Sequence, residues 1–109
     1  MIEQVLKMAV PQEKETPKTI EKVIHDENVH FNHMLLNYGE GLPIHFSNST
    51  VYMAVMRGTL TIALGEQEAH LYEAGTLLKI PFNVQMDVQN KHDALLELIV
   101  VKAPAPQNV

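Results

Sequence analysis

Two short segments, near residue 45 and near residue 86, carry side chains that could bind a metal ion or a small molecule. The imidazole of His45 is a common ligand for Zn, Fe, Ni and Cu, and Ser47 adds a hydroxyl two residues later. The thioether of Met86 would suit Cu(I) beside an imidazole, although methionine more often fills a hydrophobic core. We therefore expect a largely apolar ligand pocket with a few polar groups. The predicted pocket contains His45, Ser47, Val51, Met53 and Met86.

His33 is the side chain that could join His45 in a metal site. In the predicted strand 29–37, His33 shares a face with Leu35, so it would approach His45 if that face is interior. His30 lies on the opposite face. A His33/His45 pair completed by waters would be a sparse site, and a half-buried histidine at a sheet surface is the simpler interpretation of His33.

The spacing of glycine, proline and histidine resembles the two motifs of the cupin barrels. Their common forms are G-x5-H-x-H-x3-E-x6-G and G-x5-P-x-G-x2-H-x3-N. The matching positions are Gly39, His45 and Gly58 in the first motif, and Gly75, Pro81 and Asn90 in the second. From residue 29 onward, over about 80 residues, the sequence resembles the small single-domain cupins of the RmlC-like superfamily, with the type-2 conserved barrel.

The sequence departs from the cupin pattern at three of its four metal-ligand positions. Ser47 replaces the second histidine, Val51 the glutamate and Met86 the distant histidine. No His, Asp or Glu occurs between residues 46 and 65, so a shift of register does not restore the glutamate. Asn83 replaces a turn glycine, a mild change because Asn tolerates positive φ. We therefore expect no cofactor, and any divalent metal would bind weakly, through His45 and His33.

Composition excludes several classes of protein. The chain has 109 residues, room for one hydrophobic core, and no cysteine for a disulfide, thiolate ligand or nucleophile. The net charge is −5 and the eight basic residues are scattered, so a nucleic-acid partner is not expected. No apolar run is long enough to span a bilayer, and residues 1–10 lack the basic and apolar regions of a signal peptide. These features predict a cytoplasmic protein without a membrane partner.

Short apolar segments at even spacing, separated by glycine-containing turns, predict an all-β fold. The predicted strands are 19–25, 29–37, 50–56, 59–64, 67–72, 76–80, 84–88 and 94–102. We expect a single antiparallel β-barrel of the jelly-roll type, the double-stranded β-helix that the cupin resemblance implies. The predicted divisions are an N-terminal arm at 1–17 with one short helical turn, the barrel at 18–102, and a flexible tail at 103–109.

Three functions are consistent with these residues. The first is a non-catalytic barrel that binds a small, partly apolar molecule through His45 and Ser47. The second is a metal-dependent cupin enzyme, similar to a dioxygenase or isomerase, that uses His45 with non-standard ligands. The third is a structural or regulatory dimer. A homodimer is expected in each case, because strand 29–37 is apolar on both faces and small cupins are commonly dimeric.

Overall fold

A computed structural model describes residues 2–11 and 18–107, and within them it contains nine β-strands and no helix. The strands are β1 (Thr19–His25), β2 (His30–Asn37), β3 (His45–Phe46), β4 (Val51–Arg57), β5 (Thr59–Leu64), β6 (His70–Glu73), β7 (Leu77–Ile80), β8 (Gln85–Gln89) and β9 (Leu95–Lys102). Every strand in the sequence prediction is present within a few residues. The prediction missed β3, which has two residues, and the helical turn expected in the arm is absent from residues 2–11.

The strands form two antiparallel sheets. The larger sheet has the order β1-β2-β9-β4-β7, and the smaller has the order β3-β8-β5-β6. Sequence neighbours β3 and β4 therefore belong to different sheets, and β9 lies between β2 and β4 at the centre of the larger one. This arrangement confirms the predicted all-β antiparallel barrel with two facing sheets.

The hydrophobic core lies between the two sheets and takes alternate residues from their strands. Its members are Met34, Leu36, Val51, Met53, Val55, Leu60, Ile62, Ile80, Met86, Val88, Leu96, Leu98 and Val100. Burying one such side chain stabilises the fold by about 1.5–3 kcal/mol. The core therefore decides which face of each strand turns inward. In β2 that face carries Met34 and Leu36, so His30 and Asn32 also lie on the inner face, and His33 lies on the outer face.

Two turns of the motif skeleton require unusual backbone angles. Gly58 has φ of +83°, and a Cβ at this position would overlap the carbonyl oxygen of Leu95. Asn83 has φ of 63°, which confirms that asparagine substitutes for the turn glycine of the second motif. These residues set the β4–β5 connection and the β7–β8 turn, and the latter holds β8 beside β3.

The segment after β9 packs against the barrel. The N–H of Ala103 donates to the carbonyl oxygen of Thr50 at 3.2 Å, and the N–H of Ala105 donates to that of Asn28 at 3.0 Å. Ala105 is buried. Residues 103–105 are thus attached to the β1–β2 turn and the start of β4, in contrast to the expected loose tail. Residues 1, 12–17, 108 and 109 of the expected arm and tail lie outside the described residues.

Candidate functional site

His45 lies at the edge of the smaller sheet and is exposed. It pairs with Met86 across β3 and β8, so the two side chains share the inner face of that sheet. Its Nδ1 lies 2.9 Å from the carbonyl oxygen of Pro43. A carbonyl oxygen only accepts, so Nδ1 carries a proton, and in the neutral ring Nε2 has a free lone pair. His45 can therefore accept one hydrogen bond or donate its lone pair to one ligand.

Ser47 is buried and its hydroxyl is already engaged. It donates to the carbonyl oxygen of Pro81 at 2.6 Å and accepts from the N–H of Val84 at 2.9 Å. The backbone of Ser47 also bonds Asn83 and Val84. These four bonds fix the β7–β8 turn against the end of β3. Ser47 therefore has a structural role in this turn, where its hydroxyl donates one hydrogen bond and accepts another.

The other three residues of the predicted pocket are packed in the core. Val51, Met53 and Met86 have exposed fractions of 0%, 1% and 3%. All three belong to the cluster that joins the two sheets. The structure therefore brings together the apolar members of the predicted pocket, but it places His45 at the edge of the sheet and Ser47 in a turn. A ligand role for these five residues stays a prediction.

A mononuclear metal site of the cupin type does not fit these residues. Such a site needs several donors that converge within about 2.0–2.3 Å of one ion. Within residues 2–11 and 18–107 no three His, Cys, Asp or Glu side chains form a group that could hold a metal. Val51 occupies the position of the motif glutamate, and its cross-strand partner in β9 is Lys102. An ammonium group at this place opposes a divalent cation.

His33 lies on the outer face of the larger sheet, where it cannot join His45 at the inner face. Its ring is almost fully buried, with an exposed fraction of 1%. Nδ1 lies 2.7 Å from Oε1 of Glu21 in β1, and Nε2 lies 2.7 Å from Oε2 of Glu97 in β9. With a proton on each nitrogen, His33 can donate to both carboxylates at once, so this geometry favours its imidazolium form. The structure thus does not bring His33 and His45 together, because that side of β2 faces away from the core.

The pKa values of this carboxylate–histidine–carboxylate cluster shift in opposite directions. Burial of the ring lowers the pKa of His33, but the hydrogen bonds and charges of Glu21 and Glu97 together outweigh burial and raise it above its ordinary value of 6.5. The hydrogen bond from His33, followed by the bond from the N–H of Ala9, lowers the pKa of Glu21 below its ordinary 4.5. The cluster therefore connects β1, β2, β9 and the N-terminal arm through charged hydrogen bonds.

At the barrel end where β1 ends and β2 begins, the inner face of β2 carries a group of polar side chains. His25 and His30 pair across the β1–β2 turn, and their rings stack with centroids 3.8 Å apart. Nε2 of His25 lies 3.0 Å from Oδ1 of Asn32. Lys102 pairs with His30 from the other side. The basic residues are scattered along the sequence, so this group could not be predicted from it.

A cavity of about 390 Å³ lies at the same end of the barrel. Its walls are the segment 48–50 before β4, the ring of Phe82 in the β7–β8 turn, and the segment 104–107 after β9. The lining contains hydroxyl and amide groups but no charged side chain. Its size is within the range of small-molecule sites. Another cavity, of about 360 Å³, lies between the N-terminal arm and residues 23–26 of β1 and the following turn.

The two-sheet barrel, together with the motif spacing, defines a cupin, and comparison with known proteins agrees. The chain is 42% identical to the uncharacterized protein MJ0764 of Methanocaldococcus jannaschii over 92 residues, which are 84% of this chain and 79% of that protein. The crystal structure of MJ0764, an RmlC-like cupin family protein with a double-stranded β-helix fold, has a TM-score of 0.89 and 40% identity, covering 97% of this chain and 94% of that chain. The protein thus belongs to the RmlC-like cupin family.

More distant structures share the fold alone. TT1209 of Thermus thermophilus has a TM-score of 0.73 at 20% identity and covers 88% of this chain and 91% of its own. The cupin domain of Schizosaccharomyces pombe Cnp3 has a TM-score of 0.72 at 8% identity, covering 83% of this chain and 69% of its own. No protein-family model matches the sequence. Among the described residues, no helix is suited to crossing a membrane.

Proposed function

We propose that this cupin is a non-catalytic protein that binds a small, partly apolar molecule at the end of its barrel. The observation that carries this proposal is the cavity between residues 48–50, Phe82 and residues 104–107. The exposed ring of Phe82 and the prolines 104 and 106 offer apolar contact, while Asn48 offers an amide. Uncharged walls of this kind favour a ring or alkyl group that carries a hydrogen-bonding substituent.

The filled interior of the barrel supports an end site over a deep one. The side chains of Val51, Met53 and Met86 occupy the region where the cupin motifs place metal ligands. A ligand inside the barrel would have to displace these side chains, whereas the end cavity needs no such change. The metal-dependent enzyme considered from the sequence is less well supported, because the donor set described above does not converge.

The Phe82→Ala variant is expected to lose most of its affinity for a simple aromatic amide. Benzamide is a suitable probe, since its ring and amide match the chemistry of the walls, and backbone amide shifts in NMR spectra of the ¹⁵N-labelled protein would report binding. We expect wild-type shifts to concentrate in residues 48–50 and 104–107. Loss of the ring contact in Phe82→Ala should weaken binding about tenfold.

Phe46→Ala is the matched control for this test. Phe46 is also an exposed phenylalanine, at 58% compared with 67% for Phe82, but it lies in β3 outside the cavity. This variant should bind benzamide as the wild type does. Shifts that centre on His45 and Met86, or equal binding by both variants, would contradict the end-cavity site.

We also propose that two copies of the chain associate through the outer face of the larger sheet. Phe31, Tyr52, Ile99 and Val101 lie on this face and are only partly covered. Leu77, opposite Ala54 on β4, is 65% exposed. These apolar side chains are stabilised by burial against a second apolar surface. Two-fold symmetry would place the same face on both sides of the contact.

A charge at Leu77 is expected to break this dimer. Leu77→Glu would place a carboxylate in the proposed contact, where desolvation opposes association. Light scattering after gel filtration at micromolar concentration should give twice the chain mass for the wild type and the chain mass for Leu77→Glu. Leu71→Glu is the control, because Leu71 is 55% exposed on the smaller sheet. A monomeric wild type, or equal masses for the two variants, would refute the proposal.

A further inference from the structure

His25 and His30, which stack where β1 ends and β2 begins, lie among positively charged side chains. Lys102 of β9 is the cross-strand partner of His30, and Lys22 of β1 is the partner of Asn32. His30, Asn32, Lys22 and Lys102 all occupy inner-face positions of the larger sheet. Neither lysine forms an ion pair with a described residue. Two of the eight basic residues of an acidic chain therefore converge where two histidines meet.

Among the described residues, Asp26 is the one carboxylate that raises the pKa of His30, and it already accepts two hydrogen bonds. Oδ1 of Asp26, in the β1–β2 turn, accepts from the N–H of Asn28 at 2.8 Å and from the N–H of Val29 at 3.0 Å. Burial, and then the charges of His25, Lys102 and Lys22, lower the pKa of His30 below 6.5, while Asp26 opposes them. Burial also lowers the pKa of Lys102. The positive charge of this group is thus only partly compensated.

Asn32 supplies an amide donor beside these charges. Its side chain is only 7% exposed, and its Oδ1 accepts from Nε2 of His25 at 3.0 Å. The bond fixes the proton of His25 on Nε2 and leaves the Nδ2 amide group without a hydrogen-bond partner among the described residues. This Nδ2 group is not among the buried polar atoms that lack a partner, so it reaches solvent and can donate to an acceptor on a ligand.

We propose that His25, His30, Asn32, Lys22 and Lys102 form a binding site for a phosphate group. The two ammonium groups match the two negative charges of the phosphate dianion, and a bound anion would be a favourable partner for the protonated ring of His30. Binding would also give a favourable partner to the half-buried ammonium of Lys102, which offsets the cost of its desolvation. The site does not depend on the neighbouring cavity, because inorganic phosphate needs no apolar wall.

The test uses inorganic phosphate and the full chain at constant ionic strength. Sodium chloride replaces phosphate in the reference samples, so general screening is the same in both. We expect phosphate to shift the NMR signals of His25, His30 and Asn32 selectively. It should also raise the pKa of His30, measured from its ring proton signal, because a bound anion stabilises the imidazolium.

Lys102→Met is the diagnostic variant, because methionine keeps the apolar stem of the lysine but removes its charge. We expect this variant to bind phosphate about tenfold more weakly than the wild type, owing to the loss of a charge-assisted contact. Lys79→Met is the matched control: Lys79 lies on the same sheet but pairs with Tyr52 on the outer face. It should bind phosphate like the wild type.

Phenyl phosphate in a parallel titration distinguishes the sources of the phosphate group. Tighter binding of phenyl phosphate than of inorganic phosphate would identify a small phosphate ester, whose ring has apolar contacts nearby. Equal binding would identify free phosphate. The site is overturned if shifts disappear at matched ionic strength or spread over the surface. It is equally overturned if Lys102→Met binds both probes as well as Lys79→Met does.

Discussion

His33→Ala is expected to lower the free energy of unfolding by about 3 kcal/mol at pH 6. The variant removes a buried imidazolium and leaves two carboxylates, of Glu21 and Glu97, facing each other without the cation between them. It also leaves a cavity in the outer layer of the larger sheet. Urea denaturation followed by circular dichroism measures the loss.

The contribution of His33 should depend on pH in a defined direction. A raised histidine pKa stabilises the fold fully below the ordinary value of 6.5, and this stability is lost as pH rises through the folded-state value. A lowered glutamate pKa stabilises the fold at pH values above the ordinary 4.5. This stability is lost as pH falls through the folded-state pKa of Glu21. Wild-type stability should therefore be highest between these limits. Arg57, opposite Glu97 on β4, keeps its charge throughout this range.

His45→Ala is the control for the histidine variant. His45 is exposed and its hydrogen bond is to the carbonyl oxygen of Pro43, so the loss should stay within about 0.5 kcal/mol. The loss of stability above pH 6.5 should disappear in His33→Ala and persist in His45→Ala. An unchanged alkaline slope in His33→Ala would show that His33 is not the titrating group of the folded state.

The strands could be predicted from sequence because they depend on local signals, and the cupin resemblance implied their assembly into a double-stranded β-helix. Glycines and prolines mark turns through their own backbone preferences, and the apolar segments between them have strand length. The positive φ of Asn83 followed from the chemistry of one side chain. The two-residue β3 was missed because a strand of that length has no pattern of alternation; its partner β8 alone defines it.

The facing of β2 could not be predicted, so the sequence left open whether His33 approaches His45. Both faces of this strand are apolar or histidine-bearing, so alternation identifies two faces without saying which is inner. The decision comes from Met34 and Leu36, which meet the second sheet in the core. Placing His33 outside and His30 inside thus required the packing of both sheets.

Contacts between distant parts of the chain could not be predicted from the motifs either. His33 bonds Glu21 and Glu97, which are 12 and 64 residues away in sequence. Lys102 reaches His30 and Val51 only because β9 lies between β2 and β4. The motif likewise identified the position of Ser47 but not its use, since the hydroxyl bonds a turn more than thirty residues later. Each of these contacts depends on the register of strand pairing, which could not be predicted from the sequence.

Val51→Glu is expected to destabilise the barrel by about 3 kcal/mol without creating a metal site. The substitution restores the motif glutamate at a side chain that is fully buried in the core. A carboxylate there loses its hydration, so its pKa should rise and part of the population should be uncharged. Lys102, its neighbour on β9, is the available partner, and an ion pair with it would compete with any metal.

The comparison with Val51→Gln separates charge from burial of a polar group. Glutamine places a similar volume at residue 51, and it cannot pair with Lys102 as an ion. Adding Lys102→Met should therefore destabilise Val51→Glu more than Val51→Gln, with a coupling energy of about 0.5–3 kcal/mol in a double-mutant cycle. Calorimetric titration with Zn²⁺ should show no tighter binding by Val51→Glu than by the wild type. A stoichiometric Zn²⁺ site in Val51→Glu that is lost in Val51→Glu/His45→Ala would mean that the motif positions do converge, and the metal-dependent enzyme would then be the better proposal.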